Sequence, residues 1–255
     1  MAFRRLFVDI ETSPNIGYFW QPGHKVVIHH DSIKKERAII CICYKWSDRA
    51  EPESLTWKDG DDGEMLRKWA KIVAHADEAV AHNGDKFDFA HIRTRCLLHG
   101  IPLKETYTQV DTLKIARYRY KFNSNRLDYL AKFLGIGGKM QTAPDLWDRV
   151  LDKKRGALKE MVDYCKRDVV MLEKVYERLA GYSRATTHVG VAADGDRLSC
   201  PHCGGIHTKV DKTNVTSVGT IRRQMTCKSC GRYWTVADGV YRSVIKVREM
   251  MKRKK

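Results

Sequence analysis

LFVDIET, residues 6–12, is the stretch that decides both the fold and the position of the site. It starts apolar on both faces, as a central strand does in a sheet covered on both sides. Asp9 and Glu11 are two residues apart near its end, so their side chains project from one face. Neighbouring carboxylates repel each other unless a cation lies between them. Taken alone, the pattern fits a solvated strand end before Ser13 and Pro14 equally well.

The rest of the chain predicts an α/β fold. Further strands are predicted at 39–46, 54–58, 78–82 and 108–113, and helices at 63–76, 89–99, 126–134, 144–152 and 157–179. Three strands followed by alternating helices and strands indicate a mixed sheet, with a hairpin-connected edge and then crossover units, flanked by helices. Three regions are expected: a domain at 1–183, a linker at 184–199 and a small domain at 200–255.

Charge is distributed unevenly along the 255 residues. The net charge is +16, of which +10 lies in residues 184–255, and such a basic section favours a nucleic-acid partner over a merely solvated basic surface. The longest apolar run, 38–44, is far short of the roughly 20 residues that a membrane helix needs. No signal peptide is recognised, so we expect a cytoplasmic protein without a membrane partner.

Two further clusters contain carboxylates. NGDKFD, residues 83–88, directly follows the predicted strand 78–82, and Asp88 starts or caps the next helix. YCKRD, residues 164–168, lies within the helix 157–179, where Tyr164 and Asp168 share one face. Taken singly, a helix cap explains Asp88 and a salt bridge to a basic residue explains Asp168.

Together, the three clusters form a specific pattern. DxE, NxxxFD and YxxxD follow one another at separations of 79 and 80 residues. In this the chain resembles the DEDD (DnaQ-like) 3′–5′ exonucleases of the ribonuclease H-like superfamily, in the branch with tyrosine in the third motif. The resemblance covers about residues 1–180 and is closest to stand-alone phage exonucleases. It implies five catalytic residues: Asp9, Glu11, Asp88, Tyr164 and Asp168.

The resemblance also implies two Mg²⁺ or Mn²⁺ ions, because phosphodiester hydrolysis needs charge neutralised on the attacking and leaving oxygens. By resemblance, Asp9 bridges both ions. Glu11 and Asp168 complete the nucleophile-side metal, and Asp88 serves the other. Tyr164 orients the attacking water; since the ordinary pKa of tyrosine is about 10, the metal and not the phenol activates that water.

Four cysteines predict a second metal site. Two CxxC pairs, each followed by glycine, are separated by 23 residues and consist of Cys200, Cys203, Cys227 and Cys230. Four thiolates suit one tetrahedral Zn²⁺, and metal is favoured over disulfides because no secretory signal is recognised. The unit resembles a zinc ribbon with a hairpin over 208–225 and a basic helix over 238–255. His202 and His207 are rival ligands.

Other residues are candidates for substrate binding: Asn83, Phe87, Lys114, Arg117, Arg222 and Arg223. For Phe87, a position in the core is favoured over stacking on a base. The segment 114–126 interleaves basic and aromatic residues, which suits a single-strand groove but also a helix with a solvated basic face. Trp234 is expected to pack against the ribbon's own strands.

The resemblance therefore implies a metal-dependent 3′–5′ exonuclease that releases nucleoside 5′-monophosphates from nucleic acid, with single-stranded 3′ ends of DNA favoured. One alternative is a nucleic-acid-binding or assembly protein whose ribbon docks a partner, for which a replication or recombination protein is the candidate. Another alternative is a structure-specific endonuclease on the same scaffold.

Overall fold

The computed structural model describes residues 3–21, 27–138 and 143–253, and they form two compact units. The N-terminal unit is Arg4–Leu179, and the C-terminal unit begins at Ala180. Each unit has its own sheet and its own hydrophobic cluster. Within the described ranges, no helix is both long enough and apolar enough to cross a membrane.

The N-terminal unit contains a mixed sheet flanked by helices. In chain order its elements are β1 (Arg5–Thr12), β2 (Ile16–Gly17), β3 (Ile33–Lys35), β4 (Ile39–Trp46), β5 (Glu53–Thr56), α1 (Gly63–Val73), β6 (Glu78–Ala81), α2 (Asp88–Leu98), β7 (Thr108–Asp111), α3 (Thr112–Arg119), α4 (Leu127–Phe133), α5 (Leu146–Leu151) and α6 (Ala157–Ala180). The main sheet has the strand order β5-β4-β1-β6-β7. β4 is antiparallel to β1 and β5, whereas β6 is parallel to β1 and β7. This arrangement confirms the predicted fold class.

Alternation along β1 divides its side chains between two packed faces. Leu6, Val8 and Ile10 are fully buried in the cluster formed with α1 and α2. On the opposite face the Phe7 ring meets the ring of Tyr176, in α6, edge to face at 5.6 Å. Each buried aliphatic side chain contributes about 1.5–3 kcal/mol. Burial on both faces therefore determines the register of β1 and the face on which its carboxylates lie.

A buried carboxylate ties the start of α1 to α2 and to the sheet. Asp62 accepts hydrogen bonds from Arg95 Nε at 2.7 Å and from the Ile39 N–H at 2.9 Å, and its other oxygen lies 2.6 Å from His99 Nε2. Burial opposes ionisation of Asp62, but these donors hold its pKa below the usual range. Asp62 is therefore a buried charge whose partners position α2.

β7 differs from the strand predicted at 108–113. It ends at Asp111, and α3 begins at Thr112, because the Asp111 carboxylate accepts the Leu113 N–H at 2.9 Å and caps the helix. The prediction that the strand reaches residue 113 is therefore wrong, and residues 114–119 of the basic and aromatic stretch after it belong to helix α3.

The C-terminal unit contains α7 (Val189–Ala192), β8 (Thr208–Val215), β9 (Ile221–Cys227), β10 (Tyr233–Ala237) and α8 (Asp238–Arg253). β8 and β9 form the hairpin, and β10 adds a third antiparallel strand that was not predicted. As predicted, Trp234 packs in the unit's own cluster, with Met225 and Val236. Residues 254–255 of the predicted helix lie outside the described residues. The segment 184–199 contains α7 and the buried Leu198, so part of the predicted linker belongs to this unit's packed structure.

Candidate active site

The carboxylates of β1 lie on the face covered by α6. In the register with β4, Asp9 is opposite Cys43 and Glu11 is opposite Cys41. From α6, the Cys165 thiol lies 3.4 Å from Asp9 Oδ2. A carboxylate oxygen of Asp9, one of Glu11 and Cys165 Sγ all lie within 4.8 Å of one another. The strand and the helix therefore form one acidic site.

Asp88 reaches the same place from the first turn of α2. β1 and β6 are paired only as far as Phe7 and Val80, and the Ile10 N–H lies beyond those pairs. Asp88 Oδ1 accepts that N–H at 3.1 Å, and the residue is only 1% exposed. A side chain thus replaces the missing strand partner, which holds the Asp88 carboxylate close enough to Asp9 for their charges to interact.

α6 contributes the third cluster. Asp168 is 4% exposed and lies on the buried face of the helix with Cys165 and Leu172. Its charge is close enough to Asp9 to raise the pKa of that group. Tyr164, half-buried, precedes Asp168 by one helical turn and therefore lies on the same side of α6.

The four carboxylates do not ionise independently. Burial raises the pKa of Asp9 well above its usual range, and the charges of Asp88 and Glu11 raise it further, as does that of Asp168. Burial, with the nearby charge of Asp111, raises the pKa of Asp88 to about 7 although backbone N–H groups favour its charged form. Full ionisation at neutral pH therefore requires added positive charge. Carboxylate oxygens suit hard divalent cations, and the cluster is compatible with Mg²⁺ or Mn²⁺.

Asp111 is an acidic neighbour of this cluster that no motif indicated. It is buried at the end of β7, where its Oδ1 accepts the Asn83 N–H at 2.9 Å as well as capping α3. Asn83 has a left-handed φ of 66°, and this contact holds the turn that leads to Asp88. Asp111 could have been predicted from its position, because it is an acidic residue at the end of a parallel strand beside β6. The position of Asp9 at the end of β1 is the same kind of signal.

The candidate substrate residues of the N-terminal unit have different surroundings. Phe87 packs against the main core and edge to face against His91, with ring centroids 4.8 Å apart. Lys114 forms an ion pair with Asp85. Arg117 is exposed on α3. Lys114 and Arg117 are therefore both exposed, but Lys114 is already paired with a carboxylate.

The four ribbon cysteines converge in the C-terminal unit. Their Sγ atoms all lie within 4.8 Å of one another, and the Cys200–Cys230 and Cys203–Cys227 distances are both 3.7 Å. A tetrahedral ion with Zn–S bonds of about 2.3 Å places its sulfurs about 3.8 Å apart, whereas a disulfide bond is about 2.05 Å long. The donor set therefore fits one Zn²⁺ and not two disulfides.

Two glycines shape the cysteine turns. Gly204 and Gly231 follow the second cysteine of each pair and have left-handed φ angles of 75° and 71°. In the first turn the Gly205 N–H approaches Cys203 Sγ at 3.4 Å, a contact that favours the thiolate which a metal requires. His202 is not part of the cysteine cluster. Its Nδ1 lies 3.3 Å from a guanidinium nitrogen of Arg232 instead.

Arg222 and Arg223 are neighbours on β9 with different environments. Arg222 is exposed and lines a cavity together with Tyr233. Arg223 Nε donates to Asp238 at 2.6 Å, and its guanidinium lies 5.0 Å from the ring centroid of Tyr241. Arg223 therefore joins β9 to α8, whereas Arg222 faces solvent.

The mixed sheet and its acidic cluster define a nuclease-like fold, and the comparison of families agrees. A model described as the RNase_H superfamily matches residues 6–180, which is most of the chain and nearly all of the N-terminal unit. The chain therefore belongs to the RNase H superfamily.

Among solved structures, the chain is similar to the family B DNA polymerase from the hyperthermophilic archaeon Pyrobaculum calidifontis. The TM-score is 0.57 at 17% identity, over 80% of this chain and 27% of that chain, which shows a shared fold. A DNA polymerase of Thermococcus hydrothermalis is 35% identical over 74 residues, which are 25% of this chain and 4% of the polymerase. The chain thus spans less than a third of the length of these relatives. Family and fold together support a nuclease function.

Proposed function

We propose that the protein is a metal-dependent 3′–5′ exonuclease that acts on single-stranded 3′ ends of DNA and releases nucleoside 5′-monophosphates. One observation carries the proposal: β1, α2 and α6 bring four carboxylates into one cluster, in which Asp88 and Asp168 are buried and Asp9 and Glu11 are half-buried. The 3′–5′ polarity rests on the resemblance to exonucleases with tyrosine in the third motif. The choice of DNA is supported by the similarity to two DNA polymerases.

The four carboxylates would hold two Mg²⁺ or Mn²⁺ ions, which when bound neutralise charge on the attacking and leaving oxygens of the scissile phosphate. Asp9 is central, because the charges of the other three carboxylates all act on it. The hydrogen bond from the Ile10 N–H fixes the orientation of Asp88 before any ligand arrives. Such preorganisation removes the cost of ordering these side chains during reaction.

Tyr164 would form a hydrogen bond to the attacking water and orient it. Its helix is anchored to the sheet, because Lys45 Nζ donates to Glu173 at 2.8 Å and the Cys165 thiol contacts Asp9. A rigid α6 can hold a water-binding hydroxyl one turn from Asp168 in a constant position. Small displacements of such groups cost large factors in rate.

We further propose that residues 1–183 are the nuclease domain and that 200–255, with packed residues of 184–199, form a zinc ribbon that adds nucleic-acid affinity. Residues 184–255 carry a net charge of +10. Arg222, Arg232 and Tyr233 line one cavity of about 1160 Å³ in this unit. Cations with an exposed aromatic ring suit a polyanionic strand with stacked bases.

The test uses the full-length, zinc-loaded protein. Single-stranded DNA, duplex DNA and RNA, each labelled at the 5′ or the 3′ end, are incubated with Mg²⁺ or Mn²⁺ and the products are sized. We expect stepwise shortening of 5′-labelled single-stranded DNA and mononucleotide release from the 3′ label. Asp9→Ala and Asp168→Ala should abolish hydrolysis, whereas Asp163→Ala, on another face of α6, should retain it.

Three results would contradict the proposal. Internal products of discrete size would favour the endonuclease alternative. Binding without hydrolysis by the wild type, with both metals tested, would favour the binding-protein alternative. Wild-type turnover by Asp9→Ala or Asp168→Ala would remove these carboxylates from the reaction.

A further inference from the structure

A second cavity of about 490 Å³ lies in the N-terminal unit, outside the acidic cluster. Its walls are the turn after β5, the loop that enters α6, and Lys35 from β3. Its lining contains six cationic side chains, and they are Lys35, Lys58, Lys153, Lys154, Arg155 and Lys159. Asp59 is the one carboxylate among the lining residues, so the charge around this cavity is +5.

The charge of this cavity is not neutralised internally. Asp59 pairs with Lys153 at 2.9 Å, but both side chains are about two-thirds exposed, and such exposed pairs are worth little. Lys35 Nζ lies 5.9 Å from the ring centroid of Trp57, whose side chain is 9% exposed and forms an apolar wall. Lysine and arginine stems can pack on such a wall while their charged ends stay in solvent. The cationic side chains around the cavity therefore repel one another, and a bound anion would reduce that repulsion and attract them.

This cavity lies at the same edge of the sheet as the acidic cluster. Glu11 is opposite Cys41, which is opposite Thr56 at the end of β5, and the Trp57 N–H continues the pairing by donating to Ile40. β5 is two strands away from β1, which corresponds to about 10 Å. Along α6, the eleven steps from Ala157 to Asp168 span about 16 Å. At roughly 3.4 Å per nucleotide, the spacing along one strand of double-stranded DNA, the cavity is three to five nucleotides from the carboxylates.

We propose that this cavity binds backbone phosphates of the nucleic-acid substrate, several nucleotides from the bond that is cleaved. The inference rests on the proposed function, since it assumes that the reacting phosphate lies at Asp9. Apart from Asp59, the side chains that line it are basic, aliphatic or the buried Trp57, which suits phosphate without base recognition. A site for a free nucleotide would need polar groups that read the base, and the lining offers cations instead.

The experiment measures binding without hydrolysis. Full-length, zinc-loaded protein carrying Asp9→Ala is titrated with labelled single-stranded DNA of 2 and 15 nucleotides at several salt concentrations. The pocket variant is Lys154→Gln with Arg155→Gln, and the control is Lys68→Gln with Lys71→Gln, exposed positions on α1 that make the same charge change. Lys58→Gln, on the other wall, tests the cavity independently of the α6 loop.

For the longer strand we expect the pocket variant to lower the slope of log affinity against log salt by about 1.4–1.8, since each lost phosphate contact lowers it by roughly 0.7–0.9. Affinity at physiological salt should fall on the order of tenfold. The short strand cannot reach from the carboxylates to the cavity, so its affinity should change little. The control should leave both affinities within about twofold of the parent.

Several outcomes would overturn the inference. They are an unchanged slope in the pocket variant, an equal loss in the control, and an equal loss for the two strand lengths. Separate titrations with inorganic phosphate and with a nucleoside monophosphate test whether the cavity binds a small ligand. If either binds tightly in a way that depends on Lys154 and Arg155, while the pocket variant leaves oligonucleotide affinity unchanged, the cavity is assigned to that ligand instead. If otherwise wild-type protein neither binds nor cleaves DNA, the proposed function fails and this inference with it. If otherwise wild-type protein binds and cleaves DNA, and the pocket variant binds DNA with the same affinity and salt dependence, this inference alone fails.

Discussion

Replacing Asp88 with asparagine should change how the stability of the cation-free protein depends on pH. The Asp88 pKa is about 7 in the folded protein, against an ordinary value of 3.8. Between these values the folded protein holds a proton that the unfolded chain has released, so the wild type loses stability as pH rises. The loss is about 1.4 kcal/mol per pH unit, or on the order of 3 kcal/mol from pH 4.5 to 7.

Asparagine keeps an oxygen that can accept the Ile10 N–H but carries no charge. We therefore compare the free energy of unfolding of Asp88→Asn with that of the wild type. The difference, variant minus wild type, should be larger at pH 8 than at pH 4.5 by on the order of 3 kcal/mol. Added Mg²⁺ or Mn²⁺ should oppose this difference, because a cation that binds the folded carboxylates stabilises the wild type more than a variant that lacks one of the four. Unfolding in urea, without divalent cations or chelator so that zinc is retained, gives the free energy of unfolding at each pH.

The measurement can be restricted to the N-terminal unit. Of the six tryptophans, Trp234 lies in the C-terminal unit, so a Trp234→Phe background makes fluorescence report the other unit. Asp48→Asn, an exposed position after β4, is the control for removing one carboxylate. Parallel stability curves for the wild type and Asp88→Asn from pH 4.5 to 8 would refute the reasoning. An equal effect of Asp48→Asn would refute it as well.

Other predictions concern the reaction and the C-terminal unit. Tyr164→Phe should slow hydrolysis by about 10- to 1000-fold without abolishing it, since one positioned hydrogen bond is lost; an unchanged rate would mean that Tyr164 only packs. Cys227→Ser with Cys230→Ser should lose one zinc per chain by metal analysis and unfold the ribbon, whereas full zinc content would place the metal elsewhere. Arg222→Gln should lower the slope of log DNA affinity against log salt by about 0.7–0.9 and leave the unfolding temperature unchanged. Arg223→Gln should lower that temperature by breaking its contacts to α8, and equal behaviour of the two arginine variants would contradict their different environments.

Features whose signals are local can be predicted from the amino-acid sequence. The apolar run at 39–46 predicted β4 with the bounds that the structure has, because a strand buried on both faces needs no polar alternation. The helix predicted at 157–179 is α6, since its apolar residues recur with the helical period over many turns. The cysteine turns were readable because a metal knuckle needs two thiols three residues apart and a glycine next to them. The acidic residues of the candidate site came from three short motifs, each recognisable within six residues.

Contacts between distant segments could not be predicted in this way, because they depend on how the chain packs. Asp111 accepts a hydrogen bond from the Asn83 N–H, 28 residues earlier, and the charge of Asp111 helps to raise the pKa of Asp88. The Cys165 thiol lies against Asp9 across 156 residues. The basic cavity brings Lys35 together with side chains more than 100 residues later. No local periodicity encodes such pairs, since they depend on how helices and loops pack on the sheet, and packing also sets the burial that raises the carboxylate pKa values.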